Sequence, residues 1–244
     1  MIPKVVHYFW FGPAQKPALA QRCIASWRAV LPDYEIKEWN EANYDVNKSA
    51  FTSEAHANGE WGYITDFARL DVLYEYGGIY LDVDVQVFKD FAPFLSDKTF
   101  LGFMSDCNVC TAVMGSEPGQ RVIGELRAGY DHLVGDRTVN NDVYTRFFLE
   151  HFPQFKLNNE RQQLDEVTIY PKEYFDFPVL RGAGGYSMHH FMGSWRMRGD
   201  MTERLKGLIK LSFGRPGFWA FRRLTHWREL RQSEFHDRHL MDRR

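Results

Sequence analysis

The sequence predicts an α/β protein, with a mixed, mostly parallel central sheet flanked by helices and a helical basic C-terminal tail. Three observations carry this. Short β-branched or aromatic runs alternate with helix-period stretches over the first half of the chain, the pattern of strand–helix units in a parallel sheet. One helix-period segment closes at Gly77-Gly78 and passes straight into an apolar run and the acidic triplet Asp82-Val83-Asp84. Charge is uneven: residues 196–244 hold 13 Lys and Arg against 6 Asp and Glu, a net of +7, which leaves −9 on the rest of a chain whose total is −2.

The elements follow in order. Val5 to Phe11 is apolar and aromatic until Gly12-Pro13 breaks it, and reads as a buried first strand. Pro17 to Leu31 carries Leu19, Cys23, Trp27 and Val30 at helical spacing, ended by Pro32-Asp33. Tyr34 to Trp39 alternates as a strand. Trp61 to Tyr76 is a helix with Ile64, Phe67, Ala68, Val72 and Leu73 inward, and Ile79 to Leu81 is a short strand. Strands are predicted at Thr99–Met104, Cys110–Gly115 and Tyr186–Phe191, and a helix from Gly119 to Leu133. No internal repeat or low-complexity segment is visible. The division expected is a body over residues 1–200 and a basic amphipathic helical extension over 201–244.

Composition bounds the function. A chain of 244 residues fits one α/β domain, and a 44% hydrophobic share is enough for a core. Net charge near zero gives no argument for nucleic acid. The basic tail points instead to an anionic membrane surface, with a solvated helix packed on the body as the competing reading. Three cysteines, Cys23, Cys107 and Cys110, make no disulfide framework, and the Cys107/Cys110 pair lacks the further ligands a zinc site needs. No stretch is long and apolar enough for a signal peptide or a spanning helix, so a cytoplasmic protein is expected, peripheral on the inner face of the membrane if the tail binds lipid.

The chemistry centres on Asp82 and Asp84. Carboxylates at i and i+2 just past a strand point to one side of an extended chain. Such oxygen ligands hold Mn²⁺ or Mg²⁺. A cation of that kind stabilises a departing diphosphate. Alone, the pair reads equally as a solvated turn. Asp66 and Arg69, at i and i+3, share a face of the helix that leads into this strand. They are either a surface ion pair or a forked contact to a sugar nucleotide.

Thr65-Asp66-Phe67-Ala68-Arg69-Leu70, followed by Tyr76-Gly77-Gly78-Ile79-Tyr80-Leu81-Asp82-Val83-Asp84, resembles the signature of glycosyltransferase family 32. This is the mannosyltransferase-like and capsular-polysaccharide group with the GT-A fold, similar also to the catalytic domain of large clostridial glucosylating toxins. Ile2 to Gly12, the Leu31-Pro32-Asp33-Tyr34 segment and His189-His190-Phe191-Met192-Gly193-Ser194-Trp195 extend the likeness over residues 1–196. The resemblance implies a GT-A catalytic domain and a residue-by-residue assignment. Trp10 matches a Trp that stacks on the nucleotide base, a core Trp being its competitor. Asp66 and Arg69 match donor-sugar contacts, and Tyr80 an aromatic beside the donor. Asp82 matches a carboxylate facing ribose and sugar, Asp84 a direct metal ligand. His190 matches the residue that completes the metal shell, with His189 turned away by strand alternation. Trp195 matches a Trp near the leaving phosphates. Asn141, in Asn140-Asn141-Asp142, matches a polar contact to the sugar. Cys110 stands where the family often has Asn, and Asn108 is its possible substitute.

The activity implied is metal-dependent transfer of a hexose with retention of configuration. The donor is a nucleotide sugar, UDP-hexose favoured and GDP-mannose second. The acceptor is a glycan or lipid-linked saccharide in polysaccharide biosynthesis. A non-catalytic carbohydrate- or nucleotide-binding module and a toxin-like protein glycosyltransferase are the alternatives.

Overall fold

The computed structural model describes residues 1–177, 185–192 and 230–243. A seven-stranded sheet forms the centre, in the order β2-β1-β3-β6-β5-β8-β7. Its strands are β1 (Val5–Phe9), β2 (Glu35–Trp39), β3 (Gly78–Leu81), β5 (Thr99–Ser105), β6 (Asn108–Ser116), β7 (Gln162–Leu164) and β8 (Val167–Tyr170). A separate two-stranded ribbon joins β4 (Val85–Val87) to β9 (Ser187–His189). Parallel pairing of β1 with β2 and β3, and of β5 with β8, gives five strands one direction; β6 and β7 run against them. The sheet is therefore mixed and mostly parallel, as expected.

Apolar alternation builds a core on each face. Along β1, Val6 and Tyr8 join one cluster and Phe9 the other; along β3, Ile79 and Leu81 face opposite to Tyr80. The Tyr80 side is covered by α2 (Ala50–Ala57), α3 (Trp61–Tyr76), α4 (Arg121–Gly129) and α5 (Asn140–His151). The opposite side is covered by α1 (Ala18–Val30), the Phe91–Leu95 segment and α6 (Lys172–Phe175). Trp27 of α1 is fully buried and donates its indole N–H to the Val85 carbonyl at 2.7 Å, tying that helix to β4.

Local chemistry sets the boundaries. Ser49 accepts from the Thr52 N–H and Thr52 reaches back to Ser49, a reciprocal cap that starts α2. At the end of α3, Gly77 and Gly78 take φ of +65° and +106°. A Cβ on Gly78 would lie 2.7 Å from the Val5 carbonyl oxygen, so only glycine lets β3 enter beside β1. His7 sits under that junction. Trp39 donates its indole N–H to His7 Nδ1 at 3.1 Å, which leaves Nε2–H to donate to the Gly77 carbonyl at 2.9 Å. Burial holds this neutral imidazole down to about 4, with the Gly77 bond opposing.

Several elements depart from the sequence-based expectation. The predicted helix over 119–133 is shorter, ending at Gly129 before a 3₁₀ turn, and the pattern predicts neither α2, α5 and α6 nor the β7–β8 hairpin. Strands β5 and β6 form a hairpin, with Cys107 near its tip and Cys110 within β6; both are buried, free and unpaired with one another. Of the tail, residues 201–229 lie outside the described part, as does the expected boundary at 200. The chain ends in α7 (His236–Asp242), packed on the body. Phe235 joins the core on the α5 side, and Asp242 accepts from the Leu157 N–H at 2.9 Å. Among the described residues no helix is long and apolar enough to cross a membrane.

Candidate active site

The site forms where β3 ends. Asp82 still pairs with the sheet, donating its N–H to the Ala112 carbonyl at 2.9 Å. Asp82-Val83-Asp84 then turns rather than extending, because the Val85 N–H closes onto the Asp82 carbonyl at 2.9 Å. The two carboxylates converge through this turn, not through the strand alternation that the sequence predicts. Strand β4 comes at once after it, and its register places His189 opposite Val85.

That register decides between the two histidines. His189 Nε2 lies 3.3 Å from Asp84 Oδ1 and 3.9 Å from Asp82 Oδ2. His190 Nε2 lies 3.1 Å from Gln86 Oε1, while its main-chain N–H donates to the Asp84 carbonyl at 3.0 Å. Contrary to the expectation, the histidine that clusters with both carboxylates among the described residues is His189 and not His190. Strand alternation requires that one histidine turn away, but only the pairing with β4 fixes which.

Three atoms converge, and each has its other heteroatom pinned. Asp82 Oδ1 accepts a short hydrogen bond from the Tyr80 hydroxyl and lies 3.4 Å from Arg69, leaving Oδ2 free to face inward. Asp84 Oδ2 accepts from the Met192 N–H at 2.6 Å, leaving Oδ1 inward. His189 Nδ1 lies 3.0 Å from Asp176 Oδ1, leaving Nε2 inward. Burial works against ionisation of Asp84, yet His189 and the Met192 N–H outweigh it and lower its pKa; the carboxylates of Asp84 and Asp176 raise that of His189 against burial.

Arg69 is not a surface residue. It is 5% exposed and its fork is filled: Nε donates to the Thr65 carbonyl at 3.2 Å, one terminal nitrogen to the Thr111 carbonyl at 2.8 Å and the other to Asp66 at 2.7 Å. Its guanidinium also lies 4.6 Å over the Tyr80 ring. Asp66 accepts in addition from Asn140 Nδ2 at 3.0 Å, and burial raises it to about 7 against the pull of Arg69. Asn141 instead donates to the Val109 carbonyl at 2.7 Å, fastening α5 to β6. Of the two, it is Asn140 that reaches the Asp66–Arg69 cluster, since the first turn of α5 aims the two side chains differently. Buried Tyr144, whose hydroxyl has no hydrogen-bond partner among the described residues, stands close enough to feel the charges of Asp66, Arg69 and Asp82.

Trp10 is half-buried just past β1. Its indole N–H donates to the Ala14 carbonyl at 2.6 Å, and continuing the β1–β3 register brings it level with the Asp82–Asp84 turn. It is not a core residue. Asn108 does not reach the site; its amide donates to Asp142 at 2.9 Å near the hairpin tip. Cys110 takes a different role, its thiol lying 3.3 Å from Asp176. Trp195 lies outside the described residues. Asp176 is absent from the sequence-based set, and no motif marks it; a lone Asp after an aromatic run carries no signal until β9 brings His189 to it.

The donor set suits a hard divalent cation. Two carboxylate oxygens and an imidazole nitrogen lie within 4.8 Å of one another. Among the described residues, Asp66, Asp82, Asp84 and Asp176 face Arg69 and His189 as cations in this cluster, a surplus of up to two negative charges. With Asp84 and Asp176 buried, such a surplus is costly without a counter-ion.

Residues 17–101, 85 of the 244, match the family described as a glycosyltransferase sugar-binding region containing a DXD motif. The chain is 29% identical over 110 residues to inositol phosphoceramide mannosyltransferase 1 of Schizosaccharomyces pombe, covering 41% of this chain and a third (33%) of that relative's length. It is 24% identical over 185 residues to an uncharacterized glycosyltransferase of Acanthamoeba polyphaga mimivirus, covering 71% and 72% of the two chains. Among solved structures it resembles the PaToxG glycosyltransferase, with a TM-score of 0.52 and 15% identity over 62% of this chain and 70% of that one, a likeness of fold.

Proposed function

We propose that this glycosyltransferase, whose residues 17–101 match the DXD-containing sugar-binding family, is family-32-like and moves a hexose from a nucleoside-diphosphate sugar to a saccharide or lipid-linked acceptor, with a divalent cation held by Asp82, Asp84 and His189. The observation that carries this is the convergence of Asp82 Oδ2, Asp84 Oδ1 and His189 Nε2, each with its second heteroatom anchored. When bound, the cation supplies positive charge to the departing diphosphate. The protein's part is to hold its ligands still.

Arg69 and Tyr80 fix Asp82 at the end of β3, and Asn140 fixes Asp66 beside it. Asp66 thereby presents a carboxyl near neutrality to donor hydroxyls, which it can serve as donor or acceptor of a hydrogen bond. Trp10, level with the turn, offers a ring face to a base. Trp195 is assigned to the leaving phosphates on the family likeness alone. We assign retention of anomeric configuration on the same ground. UDP-hexoses are the first donors to test; GDP-mannose is second, and the Schizosaccharomyces pombe relative is named a mannosyltransferase. A cytoplasmic setting, suggested by the unpaired cysteines, and contact of the basic tail with an anionic membrane, suggested by tail composition alone, belong to the same reading.

The test is a donor screen on the full chain, reading nucleoside-diphosphate release with Mn²⁺ present and a saccharide extract added. A UDP- or GDP-hexose should be consumed, excess chelator should abolish turnover, and Mn²⁺ should restore it. Full turnover in excess chelator would sink the metal assignment.

A further inference from the structure

Asp176 comes directly after the last turn of α6 and is fully buried. Its main-chain carbonyl accepts the His189 N–H at 3.1 Å, while its Oδ1 lies 3.0 Å from His189 Nδ1 and 3.3 Å from the Cys110 thiol. Its Oδ2 has no hydrogen-bond partner among the described residues. A carboxylate in that setting costs several kcal/mol unless a cation faces it. Among the described residues, the one basic side chain within 4.0 Å of it is His189.

We propose that Asp176 is a positioning residue for metal binding: it grips His189 by Nδ1–H and so presents Nε2 to the cation held by Asp82 and Asp84. This rests on the metal reading above. The need for such a grip is physical. An imidazole turns about a broad torsion, and a ring flip would exchange the nitrogen for a carbon. Asp176 removes that freedom through its side chain, while its carbonyl holds the His189 backbone beside it. It also strengthens Nε2 as a ligand, because a carboxylate on Nδ1–H pushes electron density across the ring. A face of the ring is covered by Phe191, stacked at 4.1 Å and 29°. Phe191 holds φ at +51°, a left-handed conformation that a bulky residue keeps only where its surroundings enforce it. The same bend delivers the Met192 N–H to Asp84.

The test uses the full chain without donor. Asp176→Asn keeps the shape and removes the charge. Mn²⁺ titration, followed by isothermal calorimetry and by the loss of the free-ion EPR signal, should show affinity weakened about 10–100-fold relative to wild type. Turnover should recover as Mn²⁺ is raised, moving the metal dependence more than the plateau; a purely structural role would lower thermal stability and leave the metal titration unmoved. Nitrogen-15 NMR of the metal-free wild type gives a second reading that needs no variant to fold. Nδ1 of His189 should carry its proton, and an unprotonated Nδ1 overturns the proposal. A wild type that takes up no Mn²⁺ removes the metal reading and this inference together. Wild-type binding matched by a folded Asp176→Asn overturns this inference alone.

Discussion

At the scale of single residues, the acidic pair and the buried arginine are separable experimentally. Asp84→Asn keeps a group that can accept the Met192 N–H but removes the inward charge. Turnover should fall at least about a hundredfold, the several kcal/mol that charge stabilisation of a leaving group contributes, while circular dichroism stays that of the wild type. Unfolding instead would make Asp84 structural. Arg69→Lys differs: its charge survives, but the fork that joins Thr65, Thr111 and Asp66 does not. An exposed ion pair would tolerate that change; at 5% exposure it should cost about 3 kcal/mol, read by urea denaturation, and lower activity as Asp82 loses its backing. The sequence motif points to Asp66, Arg69, Tyr80, Asp82 and Asp84, all of which the fold gathers. It cannot choose between His189 and His190, or between Asn140 and Asn141. Adjacent side chains differ only in direction, and direction comes from a pairing register and a helix start that are set elsewhere in the chain.

At the scale of elements, legibility tracks burial. Strands β1, β2 and β3 and helices α1 and α3 have strong apolar patterns and glycine or proline punctuation, and appear within a few residues of the expected bounds. Helix α2 is short and capped by Ser and Thr rather than by Ser and Glu, and α5 opens on two asparagines, so neither announces itself. The β7–β8 hairpin is three and four residues long, too short for a period. The junction of β1 with the Gly77–Gly78 turn makes a prediction of its own. His7 is neutral in the fold, its pKa depressed from 6.5 to about 4. Below about pH 6.5 the unfolded chain takes a proton that the folded one refuses, so stability is full above that pH and falls as acid is added down to about pH 4. The loss should approach about 3 kcal/mol, and His7→Gln should flatten that part of the stability–pH curve even if it lowers the plateau. A curve equally steep in the variant would assign the acid limb to another group.

At the scale of the whole molecule, the tail is partly core. Phe235 and His239 are buried, His239 Nδ1 lies 2.6 Å from the Leu157 carbonyl oxygen, and Arg146 meets Glu234 at 2.6 Å. A tail that served only to bind lipid could be cut after residue 199 with activity intact. With α7 packed on the body, the cut should instead lower thermal stability, by several kcal/mol at 25 °C from the lost aromatic burial and the uncovered polar groups. A truncated protein as stable as the full chain would mean that α7 is a detachable ornament. Composition makes the tail look uniform; the packing of its last residues depends on apolar side chains spaced too sparsely for a helical period to stand out.

The ribbon of β4 and β9 has a temporal side. Asp84 and His189 are 105 positions apart in the chain yet face each other at 3.3 Å. At about 5–20 residues per second, a ribosome delivers His189 roughly 5–20 s after Asp84. Through that interval a nascent chain has its acidic turn but neither the imidazole nor Asp176 behind it. Arg69, 13 positions before Asp82 on α3, precedes the turn in the chain and in the folded protein pairs with Asp66 and Asp82. On the metal reading proposed above, the third ligand of the site therefore arrives only with a nearly finished protein.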